Sequence, residues 1–554
     1  MNNQTPQTWW APKSYPIQTW TGDTPHINVS EPVEKVPPIP TAIRAVKDSQ
    51  SPKSGRTLVI CLDGTGDQFD NDNSNVVKLI ACLKKDDPNQ LTYYQSGIGT
   101  YNGHGGLQKG VSAGFDMALG SGLGIHIKDA YSFLMQNYIE GDRICLFGFS
   151  RGSYTVRCLA GMLHKVGLLP AHNQAQISFA YRMYKDDTPN GSTMSAEFKK
   201  TFSQDVTVYF IGVWDCVASV GFIPRMLPFS KSATNTIGYF RHAMALDEHR
   251  AKFEVCQWQQ QDPGADHDVI DNTPQAKFKA RIKRIKRSFS SSGHSSKADK
   301  ASHTNGAQAP SPSQSEKVGN AELDNQQDKP ALETRVTTNV KEVWFMGCHA
   351  DVGGGAVPNN ERHMLSRIPL RWMIRQCFEC ETGILFTTAA LAESGIDVGS
   401  VWPVYQIPKK PVVGPSPMML ERYEKGQLPG LEKRSAALGV EDPTGSGTPM
   451  NNEEIEILPE QVEDHFDGLA SINDQLVQAH GWWILEFWPV KIRVLRKLKE
   501  GEKWEKVVGM NLGRHRAIRE LEPSMHWTVQ MRINEKKYKV KTRVDPEVSW
   551  GVVT

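Results

Sequence analysis

Apolar residues along this chain come in short unbroken runs, separated by stretches in which they recur at helical spacing. RTLVICL (56–62), LTYYQSG (91–97), RICLFGF (143–149), VTVYFIGVWD (206–215) and KEVWFMGCHAD (341–351) are the runs. Such runs, rich in β-branched and aromatic residues, predict strands buried on both faces. Between them, GIHIKDAYSFLMQNYI (124–139) sets Ile127, Ala130, Tyr131, Leu134 and Tyr138 on one helical face. SYTVRCLAGMLHKVGLL (153–169) and residues 366–380 also read as helices. Strands alternating with amphipathic helices predict an α/β domain over 55–424, built on a mainly parallel sheet with helices on both faces. Ligands are expected at the C-terminal ends of its strands.

Elsewhere the pattern fails. Residues 1–54 are rich in Pro, Thr, Ser and Asn without periodicity, and read as a disordered arm. A second disordered stretch, about 262–338, interrupts the α/β domain, and seven of its eleven residues 277–287 are Lys or Arg. That run offers peripheral contact with an anionic membrane, although a solvated loop is the plainer reading. Residues 425–452 read as a linker and 453–554 as a smaller β-rich C-terminal module or cap. Within the latter, GWWILEFWPV (481–490) fits either a membrane- or acyl-chain-contacting surface or simple core. Core is the expectation, because aromatic side chains dominate burial.

Bulk properties narrow the classes. A net charge of +2 over 554 residues gives no global field toward nucleic acid. Nine irregularly spaced cysteines, several in apolar runs, predict buried free thiols in a reducing compartment. No basic stretch leading into an apolar one opens the chain, and no run reaches the ~18 apolar residues of a membrane span. An intracellular, cytoplasmic protein is expected, with its oligomeric state open.

The strongest chemical signal is Gly148-Phe149-Ser150-Arg151-Gly152, set directly between a strand and a helix. This is the context of a nucleophile elbow: glycines two before and two after the serine let strand and helix approach closely. The Arg151 N–H at the helix start would then face a developing oxyanion. The serine needs a base and the base an orienting acid. Asp215 and His349 each end a predicted strand, and Ser…Asp…His is the order that α/β-hydrolases use. Asp351 is a second candidate acid, but two residues beyond His349 it more naturally caps the turn. His526 is a rival base without the strand context. Asp63-Gly64-Thr65 follows the first strand. As a haloacid-dehalogenase phosphatase signature it is broken, with Cys61 in the nucleophile's place, so a second oxyanion donor from Gly64 or Thr65, in a loop shaped by Asp63, is expected instead. Gly120-Ser-Gly122-Leu-Gly124 lacks dinucleotide spacing, and Cys377-x-x-Cys380 lacks a second ligand pair. No metal or cofactor is expected.

Six ordered motifs then resemble a known family: DGTGD, GSGLGIHIKDAY, GDRICLFGFSRGSYTVRCLAGML, FIGVWDCVAS, RHAMALDEHRAKF and HADVGGG. Over about 56–380, less the insertion, the chain is similar to the catalytic domain of type VI secretion phospholipase effectors, a domain also found in fungal proteins. The resemblance implies an α/β-hydrolase fold with a triad at Ser150, Asp215 and His349. In the bacterial effectors it implies release of fatty acids from phospholipids. The long basic insertion and the Trp-rich C-terminus depart from those effectors. The expectation is a serine esterase acting on lipid or phospholipid esters through an acyl-enzyme. The alternatives are an inactive hydrolase-fold binding protein, an acyltransferase with the same triad and, last, a phosphatase.

Overall fold

The computed structural model describes residues 39–51, 55–97, 113–217, 227–228, 236–258, 270–271, 338–411, 413–438, 457–498 and 501–554. Its central sheet and the helices that serve it run as β1 (Thr57–Leu62), α1 (Asn75–Cys82), β2 (Gln90–Gln95), α2 (Ala113–Asn137), β3 (Arg143–Phe149), α3 (Ser150–Val166), β4 (Val208–Trp214), β5 (Ile237–Ala245), β6 (Asn339–Phe345), α4 (His349–Gly353), α5 (Arg367–Glu379), β7 (Ser524–His526) and β8 (Gly551–Val553). The eight strands pair in the order β8-β7-β6-β5-β4-β3-β1-β2, and every neighbouring pair is parallel. This is the expected α/β class.

The unbroken apolar runs are explained by two cores. Leu58, Ile60 and Leu62 of β1 pack on one face with α2 and α3, whereas Val59 and Cys61 pack on the other among residues of α1 and α5. Side chains alternate across a strand, so a sheet covered on both faces demands apolar residues at every position. All nine cysteines are buried, and none is in a disulfide.

Strand β5 has no counterpart among the sequence-predicted strands. Arg241 and His242 interrupt its apolar run, yet both are buried. Arg241 donates to Gln376 Oε1 at 2.6 Å and to the Asn339 carbonyl at 2.9 Å, while the His242 ring meets Glu342 at 2.8 Å and the Cys216 N–H at 3.0 Å. These partners are remote in sequence, so the pattern hides the strand.

Several expected boundaries look different in three dimensions. In the expected disordered arm, Ala42–Arg44 pairs antiparallel with Leu385–Thr387 and buries Ile43. Residues 1–38 lie outside the described residues. The expected linker contains helix Glu432–Ala437, and its buried Arg434 donates to the Ala392 and Ile396 carbonyls and to Asp397. The expected C-terminal module or cap supplies β7 and β8 to the main sheet. It also forms a long antiparallel hairpin, Pro489–Leu498 with Gly501–Met510.

The GWWILEFWPV segment is not core. Ile484, Phe487 and Trp488 are 69%, 57% and 52% exposed among the described residues, whereas Glu486 is buried. The basic run 277–287 lies outside the described residues. Ile270–Asp271, shortly before it, pairs in parallel with the hairpin.

Candidate active site

The parallel register brings the C-terminal ends of β1, β3 and β4 level, with Leu62 beside Gly148 and Phe149 beside Trp214. Asp63, Ser150 and Asp215 are the next residues along each strand. Between β3 and α3 the turn is tight enough to hold Ser150 at φ +56°, a left-handed conformation unusual for a residue with a side chain. A Cβ on Gly148 would lie 2.7 Å from the Gly152 carbonyl carbon, and one on Gly152 would lie 2.2 Å from the Leu62 oxygen. Glycine is therefore the residue that lets α3 sit against β3 on one side and the end of β1 on the other. Ser153 Oγ lies 2.8 Å from the Gly148 carbonyl and 3.0 Å from the Trp214 carbonyl, and its single proton is shared between the ends of β3 and β4.

His349 arrives at the start of α4, just beyond β6. Its Nε2 lies 2.7 Å from Ser150 Oγ and its Nδ1 2.5 Å from Asp215 Oδ2. Asp215 is fully buried, and burial alone would raise its carboxyl pKa. The Arg516 guanidinium and the His349 hydrogen bond more than reverse that and hold it well below the usual carboxylate range. An ionised carboxylate only accepts hydrogen bonds, so Nδ1 carries the proton and donates it. Burial in turn lowers the imidazole's pKa against the opposing pull of Asp215. A neutral ring with Nδ1–H leaves Nε2 as the acceptor for the Ser150 hydroxyl.

Residues unassigned in the sequence hold this chain of contacts in place. Arg516 NH1 donates to Asp215 Oδ1 at 2.6 Å and NH2 to Oδ2 at 2.8 Å, a bidentate pair closed off from water. Asp215 Oδ1 also accepts the Ala245 N–H. Asp247 Oδ2 accepts the Gly347 N–H at 2.7 Å and Glu248 Oε2 the His349 N–H at 3.2 Å, so two adjacent carboxylates fix the turn that carries His349. Glu248 stays ionised, its pKa lowered to about 2 because Arg250 outweighs burial. The rings of Phe149 and Phe253 lie 4.7 and 4.8 Å from the His349 ring. Asp247, Glu248, Arg250 and Phe253 fall inside the motif RHAMALDEHRAKF, so the motif held a signal for them. A lone arginine in a basic C-terminal stretch gave none for Arg516.

The other candidates sort by distance from this chain. Asp63 is buried, and its Oδ1 accepts the Gly64 N–H at 2.9 Å and its Oδ2 the Tyr94 hydroxyl at 3.0 Å. The Gly64 N–H is thus engaged, while the neighbouring Thr65 Oγ1 is buried and has no partner among the described residues. Asp351 accepts from the Cys348 N–H and from Asn473, which makes it a cap of α4. His526 lies on β7 with its Nδ1 against Thr528 Oγ1, away from Ser150. Gly120, Gly122 and Gly124 lie within α2, and Cys377 and Cys380 are buried. A cavity of about 560 Å³ opens beside α4, lined by Ala350, Asp351, Arg362, His363, Tyr423 and Asn473 among others, and neither Ser150 nor His349 lines it.

The family model described as the catalytic domain of T6SS Tle1-like phospholipase effectors matches residues 56–376. The chain belongs to that family. The Tle1-like match spans β1 to α5, and so includes Ser150, Asp215 and His349 but not Arg516. Membership in a phospholipase family supports a lipase- or phospholipase-type hydrolase, acting on lipid esters. An uncharacterized protein of Saccharomyces cerevisiae is 28% identical over 563 residues, covering 86% of this chain and 79% of its own. A crystal structure of an uncharacterized Pseudomonas aeruginosa protein aligns with a TM-score of 0.27 at 15% identity, covering 79% of this chain and 60% of that one. The structure of a Tle1 effector bound to the VgrG spike of the type 6 secretion system aligns with a TM-score of 0.22 at 17% identity, covering 38% and 49%. The chain thus spans less than two thirds of either solved protein. Among the described residues no helix is long and apolar enough to cross a membrane.

Proposed function

We propose that this chain is an α/β-hydrolase-type serine hydrolase of carboxylic esters, with a lipid or phospholipid ester as substrate. The observation that carries the reading is the continuous contact from Ser150 Oγ through the His349 ring to Asp215. Ser150 Oγ attacks the ester carbonyl carbon. As the C–O bond forms, its proton passes to His349 Nε2 and the carbonyl electron pair moves onto oxygen. That oxyanion is taken by the Arg151 N–H at the start of α3 and by the Asp63-Gly64-Thr65 turn. Since Gly64 already donates to Asp63, the Thr65 N–H and hydroxyl are the donors of that turn.

Collapse of the tetrahedral intermediate breaks the bond to the alcohol, which leaves with the proton from Nε2. Water then repeats the sequence on the acyl-enzyme and releases a fatty acid. Asp215 never takes the proton; Arg516 keeps it ionised while the imidazolium forms beside it.

The test is labelling of Ser150 by a fluorophosphonate, followed by a lipid-class hydrolysis panel with Ser150→Ala as control. Loss of both labelling and turnover in the variant is expected. Retained turnover on short acyl esters would sink the mechanism, and transfer of the acyl group to an added alcohol in preference to water would make the enzyme an acyltransferase.

A further inference from the structure

The segment 482–488 inverts the usual polarity of a surface helix. Its carboxylate, Glu486, is the buried residue: Oε1 accepts the Ala251 N–H at 2.6 Å, and Oε2 accepts Asn511 Nδ2 at 2.7 Å and the Gly513 N–H at 2.8 Å. Its apolar residues face out. Ile484, Phe487, Trp488 and the half-exposed Trp483 are joined by Met510 and Leu512, 48% and 47% exposed, which the Pro489–Met510 pairing and the contact between the Leu512 N–H and the Glu486 carbonyl place alongside. Leu512 holds this position at φ +53°, in the left-handed region that few side-chain-bearing residues occupy. A contiguous exposed apolar patch marks an interaction surface.

Two further features bear on what covers it. The first is charge. Strand Pro489–Leu498 leaves the patch directly and carries Lys491, Arg493, Arg496 and Lys497 with no acidic residue. From 489 to 514 there are eight Lys or Arg against three Glu. Within the strand Arg493 is already paired with Glu254, whereas Lys491, next to the patch, is exposed and faces the surroundings. The second is position. The Trp482 ring lies 5.4 Å from the Phe253 ring, which lies 4.8 Å from His349, and the Arg250 guanidinium sits over both Phe253 and Trp482. Two rings, Trp482 and Phe253, thus lead from the start of this segment to His349.

We infer that this aromatic patch and its basic strand dock the protein on a phospholipid bilayer bearing anionic headgroups, delivering lipid to the mouth of the Ser150 site. Tryptophans and large aliphatics that enter the headgroup boundary, flanked by Lys and Arg, are the chemistry of an interfacial anchor. The inference rests on the ester-hydrolase reading for its purpose, but its binding step can be measured alone.

The experiment uses the full chain and phosphatidylcholine vesicles with and without phosphatidylserine. Three readouts are co-sedimentation, release of fatty acid from the vesicles and turnover of a water-soluble short-chain ester. The double variant Ile484→Asp/Trp488→Asp is expected to bind phosphatidylserine-containing vesicles at least about tenfold more weakly, a change of about 1.4 kcal/mol. Vesicle hydrolysis should fall with it while soluble-ester turnover stays at the wild-type rate, which also certifies the fold. Lys491→Glu, at an exposed position, should lose the preference for phosphatidylserine and leave soluble-ester turnover intact. Ser150→Ala should bind vesicles like the wild type and hydrolyse nothing. If Ser150→Ala still turned over ester, the hydrolase reading would fail while the docking result stood. Wild-type protein that ignores vesicles, or a double variant that binds them undiminished, overturns the docking inference. So does wild-type self-association that Trp488→Asp disperses in sedimentation, which would make the patch an interface between copies.

Discussion

Two buried aspartates flank the His349 turn, and they live in opposite electrostatic worlds. Asp215 has a guanidinium on both carboxylate oxygens and the imidazole on one. Among the described residues Asp351 is met by amides: the Cys348 N–H, the Asn473 N–H and the Asn473 side chain. Burial pushes both carboxyl pKa values up. At Asp215 the Arg516 charge reverses the shift, whereas Asp351 is left raised to about 6. The amide donors pull the Asp351 pKa down, but they do not offset burial as the guanidinium does at Asp215. In the proposed mechanism the acid that stays ionised beside a forming imidazolium is the one with the cation, and the acid that caps a short helix is the one without. Proximity in sequence points the other way, since Asp351 is two residues from His349 and Asp215 is 134 away.

The widest separation between the two is expected from their asparagine variants. Asp215→Asn removes the charge that fixes the Nδ1–H tautomer, and kcat should fall roughly 10⁴-fold. Asp351→Asn keeps the cap geometry and should stay within about threefold. Initial rates on a short acyl ester decide it, and equal losses would erase the distinction.

Next in size is Arg516→Ala, which strands the Asp215 carboxylate without its buried cation. A loss of about 3–5 kcal/mol in unfolding free energy is expected by denaturant titration. Arg516→Lys should recover only part of this, because an ammonium cannot make the bidentate contact.

A smaller effect comes from Asp351 itself. Its folded pKa lies above the unfolded value of about 3.9, so between roughly pH 4 and 6 the native state holds more protons than the unfolded one. Its contribution to stability is present below pH 4 and is lost as pH rises through 6, by at most about 3 kcal/mol. In Asp351→Asn that part of the pH dependence should vanish, as unfolding titrations at pH 4.5 and 7.5 would show.

The finest test is the acid limb of kcat/KM. Burial lowers His349 below the ordinary imidazole value of 6.5, so the half-maximal rate should fall at a lower pH than that. Asp215, Arg250 and Glu248 are the groups that act on this ring. Asp351→Asn should therefore leave the midpoint where it is, and a displaced midpoint would show that the two acids are coupled.

The legible part of this molecule is local. Strand β1, strand β3 and the glycines around Ser150 are written in the order of residues, because a two-face-buried strand demands a continuous apolar run and a strained turn demands glycine at fixed offsets. The strand-end positions of Asp215 and His349 could be read for the same reason. Other features escaped because their stability comes from remote partners. Strand β5 tolerates Arg241 and His242 only through Gln376, Asn339 and Glu342. The segment 482–488 looks like core from its composition, and only the burial of Glu486 turns its aromatics outward.

Sequence by itself determined an α/β sheet and a serine between strand and helix, with an acid and a histidine following in order at strand ends. Those are consequences of side-chain periodicity and backbone conformation, which act over a few residues. Tertiary structure decided which acid meets His349, that Arg516 from the far C-terminal region keeps it charged, and which face of the aromatic segment meets the surroundings. Those choices depend on desolvation and on charges brought together across hundreds of residues, and no local pattern encodes them.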